Sequence, residues 1–401
     1  MEAVIVKEKV LVNKEVFRNA VNNIAKAVPR KSPVEVLKCI YITIDNDSMS
    51  LEADDGRNRI KSVIEVESDT KIEMLIEASI LSKLVNKLND DIIEFTIDDE
   101  KMIVELKNGK YKRKIKFMDS SDYPSATKKK FDTVIKITDS KEDLIHSLKK
   151  SLVSTSTDQT KPILNGVKLV LDVSKDKDYD SSITLYSLDG IRITKDKISI
   201  DVKALKTSIQ EDIVNRCVII PSDSVKIIIS TIESIPKDES IVLAIGEDIL
   251  SINSAKEKVL SITMLGTFPD CDNMINIGLA TKEINVNRID LKDALERATL
   301  ITENTKNNLV LLDISKEKET IVVTTQNDKS ISAEELDINE IEKFNDEDNF
   351  KIGFNSKYFL QALSLFDEEN ITLRFTNKLS PVIMTDNSNV IHLLLPVRVR
   401  D

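Results

Sequence analysis

The sequence has few of the residues on which enzyme sites usually depend. Its 401 residues include only two histidines, His146 and His392, and histidine is the commonest acid or base near neutral pH. The two lie far apart, in a predicted helix and a predicted strand, so they do not predict a shared catalytic or metal site. No catalytic residue is predicted, and we expect a binding protein rather than an enzyme.

Glycine and cysteine are also scarce. The eight glycines are scattered singly and form neither a P-loop nor a dinucleotide-binding motif, so no nucleotide cofactor is expected. Cys39, Cys217 and Cys271 are too few and too far apart for a disulfide framework or a metal site. The paired Asp54 and Asp55 precede a glycine, a pattern more typical of a turn than of a cation site. No metal and no cofactor are predicted.

Long hydrophobic runs are missing as well. No stretch of about 18 apolar residues occurs, and the first residues lack the apolar segment of a signal peptide, so we expect a cytoplasmic protein. Hydrophobic residues make up 41% of the chain and charged residues 31%, which is enough to build packed cores. Domains usually have about 100 to 200 residues, so several domains are predicted.

The chain is acidic, with a net charge of -11. This charge argues against a protein that holds nucleic acid by bulk neutralisation of phosphates, so any DNA contact must be local. Basic residues cluster at 110–117 and 126–131, and acidic residues cluster at 334–350. Taken alone, such runs are more typical of solvated surfaces than of binding sites.

One order of predicted elements occurs three times along the chain. Each copy has a helix, an apolar strand, a turn, a second helix and a closing pair of strands. The first helices are predicted at 13–28, 140–156 and 287–302, the strands at 36–45, 163–172 and 308–315, and the second helices at 77–88, 221–232 and 355–366. The turns are Asp55-Gly56, Asp189-Gly190 and a degenerate Asn327-Asp328.

This repetition predicts an α+β fold made of three copies of one domain, with helices on one face of antiparallel sheet. The predicted domains are residues 1–130, 131–276 and 277–401. Two segments, 174–182 and 331–350, are predicted to be inserted surface loops.

Five motifs in this order resemble the bacterial sliding clamp family, the beta subunit of DNA polymerase III. They are TKPILNG (160–166), LDGIRI (188–193), FPD (268–270), KIGFNSKYFLQAL (351–363) and LLLPVRV (393–399). The resemblance covers the whole chain. It implies a head-to-tail homodimeric ring of six clamp-type domains, with helices lining the hole and sheets outside. It also implies a DNA polymerase processivity factor that encircles duplex DNA and tethers the replicative polymerase, with the clamp loader and other clamp-binding proteins as further partners.

The resemblance implies one peptide-binding pocket between the second and third domains. Its predicted residues are Leu164, Leu188, Gly190, Ile191, Arg192, Ile193, Pro269, Met274, Leu379, Pro381, Leu394, Leu395, Pro396, Val397 and Arg398. Aliphatic side chains of this kind bury a partner's Leu or Phe in a groove formed before binding. The sequence departs from the family at Ile191, at Asn273 and in the tail Arg400-Asp401, so its peptide preference is expected to differ.

Two further surfaces follow from the resemblance. The DNA-facing residues it implies are Arg30, Lys31, Lys149, Lys150, Lys83, Lys87 and Arg18, within a wider set that adds Lys26, Lys226, Lys292, Arg297 and Lys357. At the dimer interface, Arg113 and Ile115 on an edge strand would face Thr299 and Leu300 of the other chain. The basic run at 110–117 would also attract the acidic third domain.

Two other functions stay open at this stage. A clamp-fold scaffold or accessory paralogue would bind peptides without serving the replicative polymerase. An enzyme would need a catalytic group that the sequence does not offer.

Overall fold

The chain divides into two compact units. The computed structural model describes residues 8–29, 31–125, 129–174, 180–207, 209, 213–275, 277–302, 308–327, 330–344 and 349–398. The first unit comprises the described residues within Met1–Ile145, Val173–Tyr179 and Ile200–Met264, and the second those within His146–Asp172, Asp180–Ser199 and Leu265–Asp401. The predicted middle domain contributes to both units, and the three domain boundaries stay a prediction.

Strand is the commonest secondary structure in the described part of the chain. The strands are β1 (Glu8–Asn13), β2 (Cys39–Asp45), β3 (Ser48–Asp54), β4 (Asn58–Glu65), β5 (Lys71–Glu77), β6 (Ile92–Asp98), β7 (Ile103–Asn108), β8 (Tyr111–Lys116), β9 (Thr133–Ile137), β10 (Gly166–Ser174), β11 (Ser181–Leu188), β12 (Arg192–Ile200), β13 (Val202–Thr207), β14 (Ile213–Pro221), β15 (Ile241–Ile245), β16 (Ile249–Asn253), β17 (Glu257–Ile262), β18 (Lys282–Asn287), β19 (Leu309–Ser315), β20 (Thr320–Gln326), β21 (Ile331–Asp337), β22 (Glu340–Phe344), β23 (Asn349–Asn355), β24 (Asn370–Phe375), β25 (Val382–Thr385) and β26 (Val390–Leu394).

Helices are fewer and short. The α-helices are α1 (Lys14–Ile24), α2 (Ala78–Val85), α3 (Lys141–Ser151), α4 (Ser222–Ser234), α5 (Cys271–Met274), α6 (Arg288–Thr302) and α7 (Ser356–Leu363). Single 3₁₀ turns occupy Ala25–Ala27, Glu35–Lys38, Leu152–Ser154, Pro162–Asn165 and Ile277–Leu279. All six predicted helices are thus present, each within a few residues of its predicted bounds.

The first unit contains two antiparallel sheets. Nine strands follow one another in the order β13, β9, β15, β16, β17, β4, β3, β2, β5, and four in the order β1, β6, β7, β8. Along β4, buried and less buried side chains alternate, as expected of a strand with one face on a core. Strand β8 is the edge of its sheet.

The second unit repeats this plan. Eight neighbouring strands of one sheet run in the order β10, β11, β12, β26, β25, β24, β18, β22, and a four-stranded sheet has the order β21, β20, β19, β23. Phenylalanines fill the core between sheet and helices: the rings of Phe350 and Phe375 are 5.4 Å apart, and those of Phe354 and Phe359 are 5.2 Å apart. The predicted α+β class is confirmed.

Asparagines begin three of the helices. Asn13 Oδ1 accepts hydrogen bonds from the backbone of α1, Asn287 Oδ1 does so for α6, and Asn355 Oδ1 for α7. Each cap satisfies backbone N–H groups that the first turn of a helix leaves unpaired. In α1, Phe17, Val21 and Ile24 are buried, which is the spacing of one helix face.

The prediction of a surface loop at 331–350 is wrong over most of its length. Residues Ile331–Asp337 form β21, paired with β20, and Glu340–Phe344 form β22, paired with β18. Every second side chain of β21, including Glu334 and Leu336, is half-buried, whereas Glu335 and Asp337 occupy the exposed face of the strand. Of the other predicted loop, residues 175–179 lie outside the described part of the chain.

Candidate peptide-binding groove and basic helices

Strands β12 and β26 bring the centre of the predicted pocket together. Arg192 lies opposite Leu394 in the antiparallel register. Just beyond the paired residues, the backbone N–H of Leu395 donates to the carbonyl of Ile191 at 3.0 Å. The side chains of Ile191 and Leu395 are 40% and 37% exposed, so two neighbouring aliphatic groups face solvent. We call this surface the second-unit groove.

The Asp-Gly turn shapes one wall of this groove. Asp189 Oδ1 accepts hydrogen bonds from the backbone N–H groups of Ile191 and Arg192, at 2.9 and 2.8 Å. Gly190 has φ +93°, in the left-handed region that favours glycine. The motif therefore fixes the direction in which Ile191 leaves the sheet.

Arg192 secures the turn from inside. Its guanidinium donates to Asp189 Oδ2 at 3.0 and 2.9 Å and to Gln361 Oε1 at 2.5 Å, and it lies 4.3 Å from the centre of the Tyr358 ring. The residue is buried, so each of these contacts replaces hydration that the cation has lost. Sequence reasoning missed Gln361 and Tyr358, although their spacing of three on a predicted helix places them on one face.

A small polar network lies on the same two strands. Thr194 Oγ1 is 3.0 Å from His392 Nδ1 and 2.7 Å from Ser154 Oγ. Burial, and then the nearby Arg192, lower the pKa of His392 to about 3. A neutral, fully buried histidine supports the sheet rather than exchanging protons with a substrate. His146 is exposed on α3.

Helix α5 places Met274. Asp270 caps the helix by accepting from the backbone N–H of Asn273 at 3.2 Å and from Asn273 Nδ2 at 2.6 Å. Asp272 accepts from the Tyr186 hydroxyl at 2.8 Å. Met274 itself is 49% exposed, so its thioether is available to a ligand.

The remaining predicted pocket residues all lie in the second unit. Leu379 is exposed in a turn, Leu164, Leu188 and Ile193 are buried, Pro269, Pro381, Pro396 and Val397 are half-buried, and Arg398 is exposed. The backbone N–H of Val397 donates to the carbonyl of Gly353 at 2.8 Å, which fixes the end of the chain against β23. Within the described residues, strand pairing brings positions 191, 192, 394 and 395 together, and the part that the others play in a pocket stays a prediction.

Basic residues of the first unit lie on and beside α1 and α2. The two helices are joined by reciprocal amide hydrogen bonds between Asn22 and Asn86, at 3.1 and 3.0 Å. Lys31, Lys83 and Lys87 are exposed. Arg18 pairs with Glu15, which reduces its availability to phosphate, and Arg30 lies outside the described residues.

The two predicted DNA contacts of α3 differ from each other. Lys149 is exposed, whereas Lys150 is half-buried and pairs with Asp367 at 2.8 Å. A phosphate would have to compete with that carboxylate for Lys150. The DNA contacts stay predictions.

The predicted dimer residues lie at surface elements of their own units. Arg113 is exposed on edge strand β8, whereas the side chain of Ile115 is only 4% exposed and packs inward. Leu300 near the end of α6 is 77% exposed, and Thr299 Oγ1 donates to the carbonyl of Leu295 at 2.8 Å. An edge strand and an exposed leucine suit an interface, which also stays a prediction.

The described residues offer no metal site, because they include no group of three or more His, Cys, Asp and Glu side chains arranged to hold a metal ion. Within the same ranges, no helix is long and apolar enough to cross a membrane.

Family comparison matches both ends of the chain. Residues 8–127 match the N-terminal domain of the DNA polymerase III beta subunit, and residues 279–398 match its C-terminal domain. The beta sliding clamp of Bacillus subtilis is 26% identical over 97% of this chain and 99% of its own length, and that of Streptococcus pneumoniae is 24% identical over 96% and 98%. That of Rickettsia felis is 26% identical over the full length of both chains.

Solved structures agree on the fold. The DNA polymerase sliding clamp from Bacillus subtilis superposes with a TM-score of 0.85 at 23% identity, covering 98% of this chain and all of the other. The beta chain of DNA polymerase III from Streptococcus pneumoniae gives 0.84 at 22% identity with the same coverage. Together, the two family matches cover more than half of the sequence, and the chain belongs to the DNA polymerase III beta subunit family of sliding clamps.

Proposed function

We propose that this protein is a DNA polymerase processivity factor. It acts without catalysis, in the cytoplasm, as a homodimeric ring that encircles duplex DNA independently of sequence. The replicative polymerase, the clamp loader and other clamp-binding proteins dock on the second-unit groove. The observation that carries the proposal is the end-to-end match with proteins named beta sliding clamps, over 96% or more of both chains. The accessory-scaffold alternative has no comparable support.

The acidic composition fits this role. A ring stays on DNA because it is closed, so it needs only weak, screened contacts with phosphates, and strong contacts would slow its sliding. A net charge of -11 is compatible with exposed lysines on a few helices, such as Lys83 and Lys87.

Tethering requires a site for partners. Ile191 and Leu395 give an apolar contact whose backbone is fixed by the turn, so little ordering is needed on binding. A polymerase held there would rebind its primer end at high effective concentration after each release.

The test is retention on DNA. The full-length protein is loaded by its cognate clamp loader onto a nicked circular plasmid and separated by gel filtration, before and after the plasmid is cut once. We expect the protein to stay with the circle and to leave the linear molecule, since only a closed track traps a ring. Equal retention on both forms would contradict an encircling clamp.

A matched variant separates the ring from the tether. Leu395→Asp places a charge in the groove without touching the helices, so it should be retained on the circle like the wild type. Primer extension by the cognate polymerase should become shorter with this variant. Long products with Leu395→Asp would show that the groove is not the tether.

A further inference from the structure

The first unit repeats the turn of the second-unit groove. Asp55 Oδ1 accepts from the backbone N–H groups of Arg57 and Asn58, at 2.8 and 2.6 Å, as Asp189 does in the second unit. The backbone N–H of Asp55 also donates to the carbonyl of Asn58, at 3.1 Å. Gly56 has φ +86°. The two turns share one conformation.

The adjoining strands repeat as well. Strand β17 pairs with β4 as β26 pairs with β12, and the backbone N–H of Ile262 donates to the carbonyl of Arg57 at 2.9 Å. This bond corresponds to the one between Leu395 and Ile191. The exposed fraction of Ile262 is 36%, against 37% for Leu395. The first unit thus keeps an exposed aliphatic residue at the position of Leu395.

These residues line a groove of about 340 Å³ in the first unit, which we call the first-unit groove. Leu37, Leu260 and Ile262 supply apolar surface, and Pro124 closes one side. The Pro124 carbonyl accepts from Arg59 Nη2 at 2.5 Å, and Arg59 Nε donates to Asp54 Oδ2 at 2.7 Å, so that wall is fixed in place.

The polar groups of this groove point to an acidic ligand. Arg57 is exposed and, within the described part of the chain, takes part in no ion pair. Asn58 is 2% exposed, and its Oδ1 has no hydrogen-bond partner among the described residues, while its Nδ2 donates to Asp55 Oδ2 at 3.0 Å. The groove therefore offers an aliphatic contact, a free cation and a buried acceptor for a backbone N–H.

We propose that the first-unit groove is a second peptide-docking site, which takes an acidic segment of a partner protein. An aliphatic side chain of the segment packs on Ile262, a neighbouring carboxylate pairs with Arg57, and a backbone N–H donates to Asn58 Oδ1. The proposal goes beyond the role in replication, because it depends on the repeated turn and strand register and not on DNA.

The probe is the fluorescein-labelled, acetylated peptide Asp-Glu-Leu-Asp-Leu, titrated by anisotropy with the full-length chain. The second-unit groove is blocked by Leu395→Asp, so any binding that remains reports on another site. For so small a contact we expect a dissociation constant on the order of 0.1 to 1 mM. Adding Ile262→Asp should abolish binding, and adding Arg57→Glu should weaken it about tenfold.

Lys258→Glu is the control, because it makes the same charge change on β17 at a residue that does not line the groove. It should leave binding within about twofold, since surface charges at a distance are screened. The neutral peptide Asn-Gln-Leu-Asn-Leu should bind more weakly than the acidic one. No binding to the Leu395→Asp chain, binding that survives Ile262→Asp, or equal affinity for both peptides would overturn the proposal, and none of these results bears on retention on circular DNA.

Discussion

The two Asp-Gly turns are built alike but carry different chemistry. In both, an aspartate Oδ1 accepts two backbone N–H groups, and its Oδ2 accepts from the side chain three residues later. That side chain is Asn58 in the first unit and Arg192 in the second. The residue that directly follows the glycine is Arg57 in the first unit and Ile191 in the second.

This difference shows which positions stabilise the turn and which determine the ligand that a groove can bind. Aspartate and glycine give the turn its shape in both units. Arg192 is long enough to reach Gln361 and Tyr358, whereas Asn58 ends at the turn, and its Oδ1 has no partner in the part of the chain that the structure describes. The exposed residue after the glycine differs as well: Ile191 makes the second-unit groove apolar, and Arg57 makes the first-unit groove cationic.

The largest expected effect is on the free energy of unfolding, which should fall much more when Asp189 is replaced than when Asp55 is. Asp189→Ala removes the turn hydrogen bonds and leaves the buried Arg192 without its carboxylate, which should cost about 3 kcal/mol of unfolding free energy. Asp55→Ala removes hydrogen bonds from neutral partners only and should cost about 1 kcal/mol. Urea unfolding followed by circular dichroism measures both.

The asparagine variants are the matched controls. Asn keeps an oxygen that can accept the two backbone bonds but loses the charge. Asp189→Asn should therefore remain clearly destabilised, and Asp55→Asn should be close to wild type. Similar costs for the two alanine variants would mean that the ion pair of Arg192 contributes little.

Exchanging the exposed neighbours tests the second half of the comparison. Ile191→Arg gives the second-unit groove the residue of the first, and it should weaken binding of the cognate replicative polymerase by about tenfold or more, because an aliphatic contact is replaced by a cation. Surface plasmon resonance with immobilised polymerase measures the change. Ile191→Leu keeps the aliphatic surface and should bind within about twofold.

Much of this arrangement could be predicted from sequence, for local reasons. Asp-Gly fixes a turn through its own backbone, so both turns were visible in the sequence. The contact of Arg192 with Gln361 joins residues 169 positions apart, and no local pattern specifies it. Strand β21 was missed because Glu334, Glu335 and Asp337 made Ile331–Asp337 look like a solvated loop, although its side chains alternate between exposed and half-buried.

A carboxyl that is at least half-buried lies at the same rung of both strand pairs, but on opposite strands. In the first unit, Glu257 on β17 faces Ser62; in the second, Asp196 on β12 faces Val390. Glu257 accepts hydrogen bonds from Ser62 Oγ at 2.6 Å and from Asn23 Nδ2 at 3.3 Å. Burial raises the pKa of both carboxyls, that of Glu257 to about 7.

The raised pKa predicts how stability depends on pH. The folded chain keeps the Glu257 proton up to about pH 7, whereas the unfolded chain releases it near its ordinary pKa of 4.5. The stability from this group is therefore fully present below about pH 4.5 and is lost as pH rises through 7. Glu257→Gln should match wild type near pH 4.5 and exceed it at pH 8 by about 1 to 2 kcal/mol.

Thermal melts at both pH values test this directly. Asp196→Asn should change the pH dependence in the same direction, because burial acts on that carboxyl in the same way. A Glu257→Gln chain that is less stable than wild type at pH 8 would show that the ionised carboxylate is well tolerated in its site.

The edges of the two four-stranded sheets differ in charge. Strand β8 of the first unit exposes Arg113, Lys114 and Lys116, while β21 of the second carries Glu334 and Glu335. The four-stranded sheets therefore offer edges of opposite sign, which would favour head-to-tail pairing of two chains over pairing of like edges.

The smallest effect is expected from reversing the charge of the basic edge. The double variant Lys114→Glu and Lys116→Glu should weaken the dimer by about 1 kcal/mol at low salt, and less at high salt, because these side chains are exposed and screened. Light scattering over a dilution series follows the change from twice the chain mass of 45.1 kDa to a single chain. Lys61→Glu with Lys258→Glu makes the same charge change on β4 and β17 and should leave the dimer unaltered. If both double variants dissociate alike, net charge rather than the β8 edge governs assembly; an unchanged dimer in the first would mean that apolar and backbone contacts hold the seam.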